Sequence, residues 1–540
     1  MAPSMPIIRK MPGSGIIAVD GSRGLAHRRR TRTALARGGR HPAMSTSQPA
    51  APAISLPLKL SYGLGSISYG VSLAVLSASV LQLYFNQVIG IPGVWVGAAI
   101  MLSLCVDAVV DPLIGRWSDN LRSGWGRRHP FMYGSALPAA GFFYLLWHAP
   151  RGLGATEAFA FAILMLIGVR ISLASYEIPS TALGPELAPD YDQRTSLFAY
   201  RWFFMIATAA VMGILLYSVF LRQDAANPLG ALNRDAYARF GTLSAGVILV
   251  AILASTAATH NRIRGLHQPP ARKLSVVETF REIAATFANP SLLTIMGASV
   301  LGGAAYGITT GLSTYFYLHL WGLKPQAIGP LASGGLLASV IGVFLAPAIA
   351  KRFGKKEAMV GLFSVSLVTS LMPIAARMAG VMPPNGSGVL YVLLFIDVVV
   401  TAALALMAYV ILTSMTADVV EDHAVKSGVR SEGVLFAANG LVPKITTGLG
   451  AFLAGLMISL VKFPAHALPG TVDPAIVRHL ALIYLPAIAL LSGASIAVLN
   501  LYKIDRATHE RNLERLRDAA ALAEAARLEV GASGAVERVG

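Results

Sequence analysis

Asp107 and Asp111 stand four residues apart in VDAVVDPLIGRWSDN, inside a long apolar run. A carboxylate in hydrocarbon is expensive unless a partner, a proton or an ion compensates it, so an acid within a membrane span marks a functional site by default. Residues i and i+4 share a helical face, which stacks the two carboxylates one turn apart. Two such groups resist ionising together. The pair can therefore hold a proton or a small cation, or it can pair with an intramembrane arginine and serve packing alone. Pro112 follows directly and removes a backbone donor, so the helix can bend there.

Further charges sit in apolar surroundings. Arg170 and Glu177 lie seven residues apart in IGVRISLASYEIPSTALGPEL, two turns along one face. They can clasp each other, or present a guanidinium and a carboxylate to a hydrogen-bonding substrate. Arg201, in FAYRWFF, can snorkel to an interface or contact substrate or a carboxylate. Lys444, in NGLVPKITTGLG, needs a partner when buried or it loses its proton, and Asp107 and Asp111 are candidates. Asp397 can line a cavity or cap a local kink. Tyr62, Tyr69, Tyr306, Tyr315, Tyr317 and Trp202 can stack on sugar faces, although aromatics in spans also pack or anchor. HExxH, GxSxG and metal-spaced histidines are absent, as is GxxxxGK[ST]. The motifs of common enzymes and of direct ATP use are thus missing, the tail after the last span is too short for a signalling domain, and an ion gradient is the expected energy source.

These residues need a membrane around them, and the composition supplies it. Of 540 residues 55% are hydrophobic and 13% charged, against about 25% charged in soluble proteins. Cys105 is the single cysteine, which excludes an internal disulfide. Apolar windows long enough to cross the bilayer recur at about 60–86, 93–117, 130–149, 156–181, 197–221, 240–259, 291–320, 328–350, 357–378, 388–414, 432–461 and 477–502, twelve expected spans. Loops rich in Lys and Arg alternate with poorer ones. LRSGWGRRHP, the linker at 261–290, KRFGKK and KSGVR form the basic set, which places them and both termini in the cytoplasm. In the linker, LSVVETFREIAATFANP reads as an amphipathic surface helix. Residues 504–540 read as a cytoplasmic tail with helical charge pairs.

The net charge is +17, and residues 1–43 hold nine Lys/Arg against one Asp. Three readings of this stretch are open: a disordered basic tail, a start that truly lies at Met44, or targeting. Residues 1–55 receive no functional role and no nucleic-acid partner is expected.

The two halves repeat weakly. Tyr84, Gly90 and Gly97 recur as Phe316, Gly322 and Gly329, each 232 residues on, and the basic turn GWGRRHP is echoed by KRFGKKE. Six plus six spans about a central linker, with bundles at 56–260 and 291–503, form an all-α polytopic membrane protein with the layout of the major facilitator superfamily. Asp119, Arg127 and Arg128 at the helix ends can form latches that break and remake between conformations, or reflect loop topology alone.

DAVVDPLIGRWSDNLRSGWGRRHP, YEIPSTALGPELAPDYDQRTSL and ADVVEDHAVKSGVRSEG together resemble the glycoside–pentoside–hexuronide:cation symporters, over roughly residues 58–503. The resemblance implies a cation site at Asp107 and Asp111 with Lys444 nearby, and sugar contact by Glu177 and Arg201. It also implies departures. Gly70 stands where the family's melibiose carriers have a sugar-gripping acid, Thr181 where they have a stacking Trp, and Val110 and Ala174 where they have neutral oxygen ligands. Losing those oxygens favours H⁺ over Na⁺, since a proton needs only a suitable carboxylate. The expectation is a monomeric, cofactor-free transporter of a bacterial inner membrane. It would couple a proton or sodium ion to a sugar or glycoside held by Glu177, Arg201, Arg170, Asp397 and Thr181. A non-sugar solute such as an amphiphile, a lysolipid or an organic anion is the alternative.

Overall fold

In the computed structural model, the described residues are 54–188, 190–262, 290–427 and 432–502, with a few positions between 508 and 518. The expected linker helix and the basic N-terminal stretch lie outside them. The described chain is helical. The first rod is α1 (Leu56–Leu64), α2 (Ser66–Val75) and α3 (Ala78–Gln82), continued by a π-helical turn, Leu83–Ile89. Then come α4 (Gly93–Asn120), α5 (His129–Trp147), α6 (Ala155–Leu187), α7 (Tyr191–Ile214, with a π turn at Leu215–Phe220) and α8 (Arg234–His260). The second half holds α9 (Pro290–Tyr315, with a π turn at Phe316–Leu320), α10 (Pro325–Ala332), α11 (Gly334–Phe353), α12 (Lys355–Met378), α13 (Gly388–Ser427), α14 (Glu432–Leu460) and α15 (Pro474–Asn500).

Among the described residues, with α10 and α11 as one rod, the rods number twelve. Ten are long and apolar enough to cross a membrane, and an eleventh is the first rod, bent by 52° between its two parts. The twelfth, α5, is 19 residues diluted by His, Pro, Tyr, Gly and Ser. Local chemistry sets several starts. Asp190, Asn233 and Asp473 accept from backbone N–H groups of the first turns of α7, α8 and α15, satisfying donors that a helix start leaves open.

The 232-residue repeat has a structural meaning. Both π turns that close the first rod and α9 are followed within two residues by a left-handed glycine, Gly90 (φ 96°) and Gly322 (φ 60°), a conformation that costs glycine little. Gly97 and Gly329 then open the next rods where the halves touch. A Cβ at Gly97 would lie 2.6 Å from the Ala451 carbonyl oxygen of α14, and one at Gly329 2.9 Å from Ile214 Cα of α7. Each half thus brings the same helix against the other half, and side-chain-free positions permit the approach.

The hydrogen bonds between halves cluster at one end. Gln82 donates to Ala451 O, Gln87 to Pro464 O, the Val94 amide to Ser459 Oγ, and Tyr315 to Asn86 Oδ1, while Gln87 Oε1 accepts from the Ala467 amide. Tyr217 pairs with Thr314, and Ser218 donates to Gln326 O. This end is opposite the basic loops. Among the described residues the halves share no hydrogen bond at the basic end.

Gly97→Val should push α4 and α14 apart and cost about 1–3 kcal/mol, read as a lower melting temperature in detergent. Gly246→Val is the control, because nothing lies within 4 Å of its Cβ position. Equal melting temperatures for the two variants would show that the close approach carries no stability.

Candidate functional site

α4 carries Asp107 and Asp111 on one face, and α14 meets that face across the junction between halves. Lys444 Nζ lies 2.8 Å from Asp107 Oδ2 and donates a short hydrogen bond to Asp111 Oδ2. Among the described residues this is the only ion pair that joins the two halves. Arg170 reaches the same group from α6: its Nη1 is 4.0 Å from Asp107 Oδ2, and its Nε donates to Ser103 Oγ at 3.0 Å. Asp107 is buried and shares one oxygen between two cations. Asp111 Oδ1 is buried without a hydrogen-bond partner.

A second centre lies on α6 and α7. Arg201, 5% exposed, donates to Glu177 Oε1 in a short ion pair, to Ser180 Oγ at 2.7 Å and to Thr181 Oγ1 at 3.1 Å. Its guanidinium also stacks over the Tyr62 ring, 5.0 Å from the centroid, and Tyr62 donates to Ser180 O at 2.8 Å. Thr181 donates to Glu177 Oε1 at 3.2 Å. Glu177 Oε2, like Asp111 Oδ1, is buried and unbonded. An unmade hydrogen bond on a buried acceptor costs about 1–3 kcal/mol, so two such oxygens are sites where a proton, an ion or a substrate hydroxyl would be welcome. Tyr69 is near enough to Asp107, Asp111, Arg170 and Glu177 to feel their charges.

The structure therefore brings Asp107, Asp111, Lys444 and Arg170 together, and Glu177, Arg201 and Thr181 together. Arg170 and Glu177, two turns apart on α6, pair with different neighbours, Arg170 with α4 and Glu177 with α7. Asp397 joins neither group. It lies on α13, partly buried, with no hydrogen bond or ion pair to a described residue. At Gly70 a Cβ would come within 2.5 Å of Met205 O and 2.8 Å of Thr208 Cβ. α2 and α7 approach too closely there for any side chain, an acid included.

The helix-end set is also assembled. Arg127 Nη2 lies 2.5 Å and Arg128 Nη2 2.6 Å from Glu186 Oε1, and Arg128 Nη2 is 3.2 Å from Asp119 Oδ1. The second half has an equivalent pair: Lys355 Nζ holds both oxygens of Asp418 at 2.7 Å. In this conformation each set ties helices within its own half. Glu186, Ser103 and Ser180 were not singled out by sequence reasoning. An acid at a span end reads as ordinary loop charge, and a serine inside a span carries no spacing signal.

Two six-helix halves closed over paired carboxylates define the class: an integral membrane transporter of the major facilitator type, not an enzyme. The chain matches the family model described as MFS/sugar transport protein over residues 61–506, and it belongs to that family. An uncharacterized symporter of Synechocystis is 25% identical, with 84% of this chain and 94% of that protein covered. A putative sulfoquinovose importer of Salmonella typhimurium is 25% identical over 78% of this chain and 84% of its own. An isoprimeverose transporter of Lactiplantibacillus pentosus is 22% identical, covering 83% and 88%. Among solved structures, a bacterial homologue of the human lysosomal transporter Spinster aligns with a TM-score of 0.54 at 16% identity, over 86% of this chain and 97% of that one. That likeness concerns the fold alone.

Arg201→Ala should destabilise the protein by about 3–5 kcal/mol, because it leaves the Glu177 charge uncompensated. The Arg201→Ala/Glu177→Ala double variant should recover much of that loss, which a double-mutant cycle of denaturant stability reads directly. Purely additive losses would show that the two groups are not coupled.

Proposed function

We propose that the protein is a cation-coupled symporter of a sugar or glycoside, working by alternating access in a bacterial inner membrane, with H⁺ favoured over Na⁺ as the coupling ion. One observation carries this reading: the paired carboxylates of one half are held by a lysine of the other, and one of them keeps a buried oxygen free. A proton on Asp111 Oδ1 neutralises that carboxylate and weakens its pull on Lys444. Ion binding thereby changes a contact between the halves, which is what coupling to a rocking motion requires. The groups around the pair are Lys444, Arg170, Ser103 and Tyr69, so only two neutral oxygens stand beside two cations. Sodium binds through several oxygens and would have to displace the lysine, whereas a proton needs one carboxylate.

The substrate is placed beside Tyr69, with Glu177 Oε2 accepting from a hydroxyl. Arg201 and Thr181 hold Glu177 in position, and the exposed Tyr69 ring offers an apolar face to a sugar. Coupling is reciprocal: if the cation raises affinity for the solute, the solute raises affinity for the cation by the same factor. The functional unit is one chain, with both termini and the basic loops in the cytoplasm.

An anionic solute is the second reading, and the charge balance favours it. The two centres hold three carboxylates (Asp107, Asp111, Glu177) and three cations (Arg170, Arg201, Lys444). A bound coupling cation therefore leaves a positive site. Arg170 is lightly engaged, with one hydrogen bond to Ser103 and a 4.0 Å approach to Asp107. Two of the relatives' names point the same way, a sulfoquinovose importer and a 2,3-dihydroxypropane-1-sulfonate exporter.

Thermal unfolding of the purified protein with mono- and disaccharides, glycosides, uronic acids and sulfonated sugars, at two pH values and with or without Na⁺, tests both readings. A ligand of the folded state raises apparent stability. A shift with neutral glycosides that grows at low pH supports proton symport. Shifts confined to anions support the second reading, and none in folded protein would remove sugars from consideration. In proteoliposomes, Asp111→Asn should abolish gradient-driven accumulation of the ligand found while leaving its thermal shift. Retained concentrative uptake would sink the role given to Asp111.

A further inference from the structure

Ser103, Asp107 and Asp111 stand four residues apart on α4, so their side chains form a ladder along one helical face. Three oxygen-bearing side chains in such a row are donors suited to a hard cation, which is held by several oxygens at once. In this chain the rungs are already bridged by cations that the protein itself supplies. Lys444 Nζ spans Asp107 and Asp111. Arg170 spans Ser103 and Asp107: its Nε donates to Ser103 Oγ at 3.0 Å, and its Nη1 stands 4.0 Å from Asp107 Oδ2. Ser103 in turn donates to Ile100 O at 2.8 Å, so its proton goes to the backbone and its oxygen to Arg170. Asp107 Oδ2 faces both cations. Of the ladder's oxygens, Asp111 Oδ1 is the one buried without a partner. A single oxygen suits a proton and does not make a sodium site.

The two tethered cations differ in where they come from. Lys444 belongs to α14 and the other half, so it leaves Asp107 whenever α4 and α14 part. Arg170 belongs to α6, which packs against α4 in the same half, and its side chain is only 15% exposed. Rocking of the halves does not separate it from Asp107. A guanidinium in this place does for Asp107 what a bound metal ion would do: it supplies the counter-charge that a carboxylate in hydrocarbon requires. It also takes the space and the Ser103 oxygen that a metal ion would need. We propose that Arg170 sets the ion selectivity of the site, a built-in cation that takes the place of sodium at Asp107 and leaves Asp111 to the proton. The donor set thus disagrees with the cation site of both aspartates that the family resemblance implies. The inference rests on the proton-coupled reading above and adds the residue responsible for it.

Thermal unfolding of the purified full-length protein in sodium chloride and in choline chloride of equal ionic strength tests this without knowledge of the solute. The unaltered protein should melt at the same temperature in both. Arg170→Ala frees the Ser103 oxygen and opens space beside Asp107, and it should gain a sodium-dependent rise of a few degrees. Arg170→Ala/Asp107→Asn should lose that rise, and Arg170→Lys, which keeps a tethered cation, should not show it. Arg170→Gln, closer in size, replaces Arg170→Ala should that variant not fold. An Arg170→Ala protein as indifferent to sodium as the unaltered one would overturn the inference and leave proton coupling standing. A rise that persists in Arg170→Ala/Asp107→Asn would overturn it too, because sodium would then bind elsewhere. A sodium-dependent rise in the unaltered protein would instead overturn the preference for H⁺, and the inference with it.

Discussion

The ion pair of Lys444 with Asp107 and Asp111 is the constraint on which the rest of this structure depends. Three charged groups held inside a membrane protein are tolerable only at hydrogen-bonding distance, because breaking a buried pair leaves an uncompensated charge worth several kcal/mol. That distance in turn demands that two helices from different halves run almost in contact. Glycine provides the contact. A Cβ on Gly455 would collide with Gly93 O, one on Gly97 with Ala451 O, and Gly448 faces Met101. On the opposite flank of α14, Gly307 meets Gly450 and Gly303 meets Thr446. α14 is therefore wedged between α9 of its own half and α4 of the other, with its lysine at the inner limit of the wedge.

That placement gives the carboxylates a mechanical meaning. At the closed end the halves are joined by neutral hydrogen bonds, among them the Gln87 side chain, which engages two backbone groups of the 461–473 loop. Farther in, the joint is ionic. Neutral bonds of this kind contribute modestly and do not respond to ions, whereas the Lys444 joint changes strength whenever a carboxylate gains a proton or cation. An ion can shift a conformational equilibrium only by its difference in affinity for the two states. A cross-half ion pair is a direct way to create such a difference. The helix-end sets Arg127–Arg128–Glu186 and Lys355–Asp418 have a complementary part. Each ties helices within one half.

Much of this was legible in the sequence, and what was not has definable causes. The paired aspartates and Lys444 could be read because charges within spans are few, and each must find a partner among them. The twelve rods followed from hydropathy, although α5 is diluted by His, Pro, Gly and Ser and packs between α6 and α8. The break in the first rod falls at Leu76 and Ser77, in SLAVLSASVL, without Pro or Gly, so no local signal announces it. Arg170 and Glu177 share a face by spacing, yet pair with different neighbours, because α4 and α7 reach α6 from different sides. Spacing defines which residues share a face and leaves open what that face meets. The repeat of Gly97 and Gly329 was visible as a pattern, but its reason, a pair of symmetry-related crossings between halves, exists only in three dimensions.

Gly70 shows how the same packing logic reaches the substrate. The melibiose carriers that this sequence resembles have an acid at this position, but here α2 lies against α7 so closely that no side chain fits. The neighbouring Tyr69 remains exposed beside Glu177 and the aspartates. Losing an acid while keeping Arg170, Arg201 and Lys444 changes the site in two ways together: it has one fewer hydroxyl-gripping carboxylate, and its charge becomes balanced before any cation binds. A balanced site tolerates a coupling cation best when the solute brings negative charge or when the cation is a proton that cancels a carboxylate it sits on. The tight α2–α7 contact and the charge balance of the site both follow from having glycine at this position. Restoring an acid at this position would first require the two helices to move apart.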